Sequence, residues 1–369
     1  MAEAPGPLVH LIEPAHWRVA LADGAVVPPS LESVGFVHLS TPEQVHLPAQ
    51  ALYPGRRDLV LLVVDPARLT DPVRFEPGRP EDPAGMRFPH LYGPLPAAAV
   101  VAVVSYRPPV PPVLPEPGDA YGRALAYVTS LPVRRAVGVG DVPGGVAVLD
   151  PDFPHSRDNN RLVLSEPVDA ATVEAAADEV GGNAGWRHQA AALLWPDAAA
   201  TADDLTRRGW NTEELLLMAR RAGAVAGAER AAVVDQREVH EFWAASWRQQ
   251  LSGERQLDDA VAQLVGREQL NDRVVAVRDI VVREDGRVVA AGQLRVDGAT
   301  AAVDSVLTDP AARGRGHAGA VLGRALALAT EAGCDLVVLE AAADDWPRHW
   351  YSRRGFEVVG SVWNADRPV

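Results

Sequence analysis

A loop with two glycines and two arginines is the part of this sequence that most clearly predicts chemistry. It belongs to the segment Asp304–Ala318, in which a predicted strand ends, the chain turns and the loop opens a predicted long helix. Gly314 and Gly316 let backbone amides approach a ligand closely, and the helix N-terminus adds unpaired N–H groups and the positive end of its dipole. Arg313 and Arg315 add charge, so the loop predicts a pyrophosphate site. A plain turn is the alternative.

Three side chains near this loop are candidates for proton transfer. Tyr351 is a reasonable general acid, and its alternative role is packing against Trp350 and Phe356. Glu340 ends a predicted buried strand, and Asp304 lies on the strand before the loop. Either carboxylate can take a proton from an ammonium group, and an ordinary surface carboxylate at a strand end is the alternative for each.

The elements that position these residues follow from hydrophobic periodicity in the C-terminal third. Strands are predicted over 274–282, 288–296, 301–307, 336–339 and 356–362, and helices over 235–251, 316–332 and 347–354. His317 begins the long helix, where it can contact phosphate or face solvent. Strands of both pairing types mixed with helices predict an α/β (α+β) fold.

Residues 274–362 resemble the GNAT (Gcn5-related) N-acetyltransferase family. Its acetyl-CoA motif, Arg/Gln-x-x-Gly-x-Gly/Ala, is matched by 313–318, and 350–356 resembles its second signature, a tyrosine shortly before Gly-Phe. The resemblance implies acetyl-CoA as co-substrate and a Tyr351 that protonates the departing CoA thiolate. The implied acetyl-CoA contacts are Val306, Leu307 and Thr308 to the pantetheine arm, and Arg313, Gly314, Arg315, Gly316, His317 and Ala318 to the pyrophosphate.

A second block, 119–222, opens like the tandem acetyltransferases found chiefly in actinobacteria. The similar residues are Asp150-Pro-Asp-Phe-Pro-His155 and Asn159-Asn-Arg-Leu-Val163. Strands are predicted over 145–149 and 161–164, and helices over 170–180, 203–208 and 213–221. No Arg-x-x-Gly-x-Gly/Ala occurs here, so the resemblance implies a degenerate half without its own acetyl-CoA site that shapes the acceptor pocket. An unrelated packing domain is the alternative.

The first block, 1–107, holds half of the ten histidines and predicted strands at 8–12, 35–39, 59–64 and 100–105. Gly35-Phe-Val-His-Leu-Ser-Thr41 and Phe88-Pro-His-Leu-Tyr-Gly-Pro94 resemble domain-of-unknown-function family 952, which is related to the ADP-ribosyltransferase fold. The resemblance implies a cleft for a nucleotide or NAD-like ligand. Its candidate contacts are His10, His38, His90 and Tyr92. Buried structural histidines are the alternative, and the histidine spacing predicts no metal site.

Composition excludes several classes of protein. The 49 acidic and 35 basic residues give a net charge of −14 with no strongly basic segment, so no nucleic-acid partner is expected. One cysteine, Cys334, excludes an intramolecular disulfide and a cysteine-based zinc site. No apolar run reaches the ~18 residues of a membrane span, so we expect no membrane partner and a reducing cytoplasm as the location.

These observations predict a multidomain acyltransferase. Its parts are an N-terminal domain (1–107), a proline-rich linker (108–118), a degenerate half (119–222) and a catalytic domain (229–369), with a flexible boundary at 221–228. The linker is expected to be an exposed spacer with few contacts across it, so that 118–369 folds and acts alone.

The predicted function is acetyl transfer from acetyl-CoA to a primary amine of a small molecule or peptide. The alternative is a sensor or scaffold that binds CoA or a nucleotide without turnover, with an NAD-like ligand in the N-terminal domain.

Overall fold

Three small sheets form the N-terminal part of the chain. The computed structural model describes residues 6–78, 83, 85–223 and 227–369. The strands are β1 (Leu8–Ile12), β2 (Ala25–Val26), β3 (Val37–His38), β4 (Leu59–Val64), β5 (Val73–Glu76), β6 (Phe88–Leu91), β7 (Leu95–Pro96) and β8 (Val100–Tyr106), and the helices are α1 (Pro14–Asp23), α2 (Pro29–Ser33) and α3 (His46–Leu52). β4 lies between β1 and β8, and its six residues are all buried, as its continuous apolar run indicates.

An eleven-stranded sheet occupies the rest of the chain. Its strands are β9 (Gly138–Val142), β10 (Gly145–Leu149), β11 (Arg161–Leu164), β12 (His188–Leu193), β13 (Asn211–Arg221), β14 (Ala232–Val234), β15 (Ala276–Glu284), β16 (Arg287–Asp297), β17 (Thr300–Thr308), β18 (Leu336–Ala342) and β19 (Glu357–Pro368). The helices are α4 (Ala120–Arg135), α5 (Ala170–Ala184), α6 (Ala199–Arg207), α7 (Arg237–Gln250), α8 (Leu257–Gly266), α9 (His317–Glu331) and α10 (Pro347–Ser352). The mixture confirms the predicted fold class, and α4 and α8 were not foreseen.

The eleven-stranded sheet is nearly symmetric about its centre, because corresponding strands of two similar units follow one another inward from its two edges. Its strand order is β14-β15-β16-β17-β18-β13-β19-β12-β11-β10-β9. One series of elements occurs twice: three antiparallel strands, a helix, a strand parallel to the third, a helix and a final strand. Each final strand crosses over, so β13 pairs with β18 and β19 pairs with β12, while β13 and β19 pair at the centre. Neither series therefore completes its sheet alone.

The helix predicted over 213–221 is wrong, because these residues belong to β13. Glu, Leu, Met, Ala and Arg favour a helix by intrinsic propensity. Pairing with β18 on one side and β19 on the other satisfies the backbone of β13 and buries Leu217 and Met218 almost completely. Tertiary pairing thus overrides local propensity here. Residues 224–226 of the predicted flexible boundary lie outside the described residues.

The expectation of few contacts across the proline-rich segment is also wrong. Trp17 of α1 is fully buried and donates its indole N–H to Asp297 at 2.8 Å, beside the buried Arg134–Asp297 ion pair. The guanidinium of Arg123, in α4, donates to the carbonyl of Val101 in β8. Prolines keep 107–118 free of helix and strand, but they do not decide whether the flanking surfaces pack together. The expected independence of 118–369 therefore loses its basis.

Two further features bear on the composition arguments. In the described part of the chain, no helix combines the length and the apolar character needed to cross a bilayer. Cys334 is a buried free thiol, and burial raises its pKa to about 12. The thiol is therefore protonated at neutral pH and is a poor nucleophile.

Candidate active site

A gap opens where β17 and β18 diverge. Thr300–Ala302 pair with Leu336–Val338, whereas 303–308 of β17 pair only with β16. Within the part of the chain that the structure describes, one edge of β17 thus has no strand partner over its last six residues. The corresponding strand of the first series differs, because β11 ends at Leu164 while still paired with β12.

A β-bulge lies at the start of this unpaired edge. Ser305 has φ +54°, a strained conformation for a non-glycine residue, and its amide donates to Asp304 Oδ1 at 2.6 Å. Opposite the bulge, a Cβ on Gly292 would lie 2.8 Å from a methyl carbon of Val321 in α9. Glycine is therefore required for α9 to pack this closely on the sheet beside the gap.

The loop 313–318 joins this gap to α9. Gly314 and Gly316 have φ of +77° and +83°, and Gly316 caps the helix that begins at His317. Arg315 Nη1 donates to Glu284 at 2.9 Å. Arg313 is exposed and contacts only the carbonyl of Thr308, at 3.4 Å, among the described residues. The loop thus presents backbone amides at a helix start with one guanidinium free to meet an anion.

His317 is buried, so the solvent-facing alternative for it is wrong. Its Nε2 lies 3.1 Å from Glu284 and its Nδ1 lies 3.3 Å from Arg230. The side chain therefore holds the helix start against the hairpin, while its backbone amide stays at the first helical position. Arg230 also lies 3.6 Å from the position of a Cβ on Gly316. Arg230 could not be predicted as part of this site from the sequence, because 87 residues separate it from His317.

Asp304, Glu340 and Tyr351 line one cavity of about 290 Å³, the central cavity, beside the β17–β18 gap. The structure therefore brings together the three predicted proton-transfer residues. Charged side chains from both halves of this part of the chain also line it: Arg135, Asp158 and Arg161 from residues 119–222, and Arg267, Glu268 and Arg295 from residues 229–369. Sequence reasoning missed these six residues.

Glu340 is the carboxylate best suited to act as a base. Its side chain is exposed to the cavity rather than to bulk solvent, and desolvation by the protein around the cavity raises its pKa to about 7, with Arg161 acting in the opposite direction. Among the described residues it has no hydrogen-bond or ion-pair partner. By contrast, Asp304 Oδ2 pairs with Arg295 at 2.5 Å and Oδ1 accepts from Ser305. Glu340 is therefore the freer of the two to accept a proton at neutral pH.

Tyr351 is positioned by packing at the edge of the cavity. Its ring meets Trp350 edge-on at 5.0 Å and Phe356 at 5.7 Å. Burial, with a contribution from Asp304, raises its pKa to about 12. The phenol is therefore protonated throughout the neutral range and available as a hydrogen-bond donor.

A second cleft, of about 860 Å³, lies in the N-terminal part and is lined by His10, His38 and His90. His10 Nδ1 is 2.8 Å from the carbonyl of His38. Burial lowers the pKa of both His10 and His38, which favours their neutral forms. Tyr92 does not line this cleft and donates to Glu76 at 2.7 Å. Over the residues that the structure describes, no three metal-ligating side chains converge.

Two parts of the chain match models of known families. Residues 237–356 match the model of the Acetyltransferase (GNAT) family, and residues 11–103 match the model of a protein of unknown function (DUF952). The chain thus contains a GNAT acetyltransferase domain preceded by a DUF952 region. The resemblances of residues 274–362 to the GNAT family and of the first block to domain-of-unknown-function family 952 are thereby confirmed.

Three solved structures are similar to parts of the chain. A GCN5-related N-acetyltransferase from Kribbella flavida is 20% identical, with 68% of this chain and 96% of that chain covered and a TM-score of 0.44. A functionally unknown conserved protein from Staphylococcus epidermidis is 12% identical (62% and 92% covered, TM-score 0.49). A protein from Caulobacter crescentus is 32% identical over 27% of this chain and 84% of its own, with a TM-score of 0.24. The search of curated proteins gave no match.

Proposed function

We propose that the chain is an N-acetyltransferase that moves an acetyl group from acetyl-CoA to a primary amine of a small molecule or peptide. The observation that carries this proposal is the central cavity, which Glu340 and Tyr351 both line beside the unpaired edge of β17. The GNAT match of residues 237–356 supports acyl transfer as the general class of reaction.

The unpaired edge and the loop fit the two ends of acetyl-CoA. Backbone groups of Val306, Leu307 and Thr308 have no strand partner on the β18 side and are placed to bind the amides of a pantetheine arm. Among the described residues the hydroxyl of Thr308 is buried without a hydrogen-bond partner, as expected of a polar group that hydrogen-bonds to a bound ligand. The amides of 313–318 and the exposed Arg313 would bind the pyrophosphate.

The reaction uses two proton steps. Glu340 takes a proton from the acceptor ammonium, and the free amine attacks the thioester carbonyl. The N–C bond forms, the C–S bond breaks, and the second N–H proton of the amine ends on sulfur. Because the pKa of Tyr351 is far above the ~8.5 of an ordinary thiol, its role is to donate a hydrogen bond to the forming thiolate and to relay the proton rather than to give up its own permanently.

We also propose that 119–222 is a degenerate GNAT-like half of a tandem unit whose catalytic half is 229–369. The repeated order of elements and the crossing of β13 and β19 support this. β11 leaves no gap like that beside β17, which fits the absence of a second acetyl-CoA motif. The first half instead contributes Arg135 and Arg161 to the acceptor side of the central cavity.

A second candidate function concerns residues 1–107. The cleft, which His10, His16, His38 and His90 line, supports binding of a nucleotide or NAD-like ligand there, as in a sensor or scaffold that holds CoA without turnover. That alternative predicts CoA binding with no thiol release for any amine, whereas the proposed function predicts amine-dependent thiol release.

Ala318→Glu is expected to weaken CoA binding by about tenfold or more, because it places a carboxylate beside the pyrophosphate. Ala318 is the second residue of α9 and has no glycine-like backbone, and an acidic residue in the first turn favours the helix itself. Ala318→Gln, with the same size and no charge, is the matched control. Calorimetric titration with CoA is the measurement, and equal affinities of the two variants would contradict the assignment of the loop.

Tyr351→Phe is expected to lower turnover on the order of 10²-fold while leaving acetyl-CoA affinity unchanged, because only the donor to sulfur is lost. Phenylalanine keeps the edge-on packing with Trp350 and Phe356. Amine-dependent thiol release is measured, with Tyr106→Phe in the N-terminal part as the control. Turnover of Tyr351→Phe within twofold of the parent would show that Tyr351 only packs against its neighbours and has no role in proton transfer.

A further inference from the structure

One cation and one anion in the central cavity have no charge partner. Within the described residues, Arg135 has no carboxylate within 4 Å, and its bonds go to the amide oxygen of Asn271 (2.7 Å) and the main-chain oxygen of Asp158 (3.2 Å). Its Nε is buried without a hydrogen-bond partner. Glu340, in the same cavity, likewise has no arginine or histidine within 4 Å among those residues.

The other charged side chains of the cavity neutralise one another. Three arginines and three carboxylates form one network: Arg161, Arg267 and Arg295 with Asp158, Glu268 and Asp304. Arg267 lies 2.8 Å from Asp158, and Arg295 lies 2.9 Å from Glu268. Among the described residues Arg161 has one carboxylate partner in this network, Asp158 at 3.4 Å, and its Nε is buried without a hydrogen-bond partner.

An unpaired guanidinium inside a protein is unfavourable, because burial removes water that no carboxylate replaces. Burial accordingly lowers the pKa of Arg135 to about 10. A carboxylate is the natural complement, since the planar guanidinium can hold its two oxygens at once. A ligand with a single negative charge would balance the single unpaired arginine, and its positive charge would balance Glu340.

We propose that the acceptor is an amine that also carries a carboxylate, such as an amino acid or a short peptide with a free carboxyl end. Arg135, with Arg161 beside it, binds the carboxylate, and Glu340 receives the ammonium group. A volume of about 290 Å³ suits an acceptor of that size. This inference rests on the proposed acetyl transfer and specifies its substrate class.

The test compares the whole protein on matched acceptors: each of the common amino acids and the corresponding amino-acid amide, with acetyl-CoA as donor. We expect kcat/KM to be at least about tenfold higher for the acids, as the loss of a charge-assisted contact predicts. The amine of an amide is the weaker base and is more readily deprotonated, so chemistry alone would favour the amide. Equal rates, or faster reaction of the amides, would overturn the inference while supporting acetyl transfer. Thiol release with neither member of any pair would overturn the inference, and acetyl transfer itself would be overturned only if a panel of other primary amines released no thiol either.

Arg135→Gln separates recognition from structure. It should lower kcat/KM for the acids by about tenfold or more and leave that for the amides and the affinity for CoA nearly unchanged. Arg135→Lys, which keeps the charge, should retain the preference for acids, and Arg207→Gln on the exposed face of α6 is the control. An undiminished preference in Arg135→Gln would overturn the role of Arg135. If Arg135→Gln fails to fold, the ratio of kcat/KM for acids to that for amides is measured in Arg135→Lys and Arg161→Gln instead. The inference predicts that Arg135→Lys keeps this ratio and that Arg161→Gln lowers it, and an unchanged ratio in Arg161→Gln would overturn it.

Discussion

Replacing Glu340 with glutamine is expected to lower acetyl transfer by about 10²–10⁴-fold, because the amide has the same shape but cannot accept a proton. With a pKa of about 7, Glu340 is protonated and inactive as a base at lower pH and ionised above it. In the parent protein, kcat/KM should therefore rise with pH through about 7 and then level off. In Glu340→Gln this rise should disappear.

Thiol release measured across the neutral range in both proteins checks this expectation. A rise that persists in Glu340→Gln would belong to the acceptor amine and would remove Glu340 from the role of base. Asp304→Asn should have a smaller effect on the pH profile, since both carboxylate oxygens of Asp304 already hold partners. Glu331→Gln, at the far end of α9, is the control and should behave as the parent.

Residues 229–369 are expected not to fold when they are produced alone, although they contain the whole GNAT match. In the intact chain β13 lies between β18 and β19 and pairs with both. Without it, two long strands would expose unpaired edges and the apolar side chains that Leu217 and Met218 now cover. The fragment should therefore aggregate and release no thiol.

Co-production of 1–222 with 229–369 is the matched comparison. The two pieces carry every strand of the eleven-stranded sheet. Together they should therefore give the circular dichroism spectrum of the intact protein and amine-dependent thiol release. An active, well-folded 229–369 fragment on its own would show that the crossing of the final strands is dispensable. If the intact chain is active but the mixture of the two pieces is not, the covalent link between residues 222 and 229 is needed for assembly.

Local features of the sequence were sufficient to predict much of the catalytic half. The loop from Arg313 to Ala318 and the helix after it depend on glycine conformation and helix periodicity, which are properties of short stretches. β13 was not predictable in this way, since its residues favour a helix and its strand state depends on partners more than 100 residues away.

The candidate site was predictable to the same degree. Tyr351 and Glu340 follow recognisable local patterns, and both line the cavity. Arg135 and Arg161 have no such pattern, because they reach the cavity from a helix end and a strand start that only the fold brings together. The docking of residues 1–107 was missed for a similar reason: the indole of Trp17 meets Asp297 across 280 residues.

The crossing of the two final strands also sets a condition on how the protein is made. β12 cannot acquire its partner β19 until roughly 170 residues later, on the order of 10–30 s at ribosomal speeds. During that interval a strand of small apolar residues, including Ala190, Ala191 and Ala192, has a free edge on the nascent chain. Residues 119–222 therefore keep an unpaired strand edge until the last segment has been synthesised. During this stage, chaperones or early docking of residues 1–107 would protect them from aggregation.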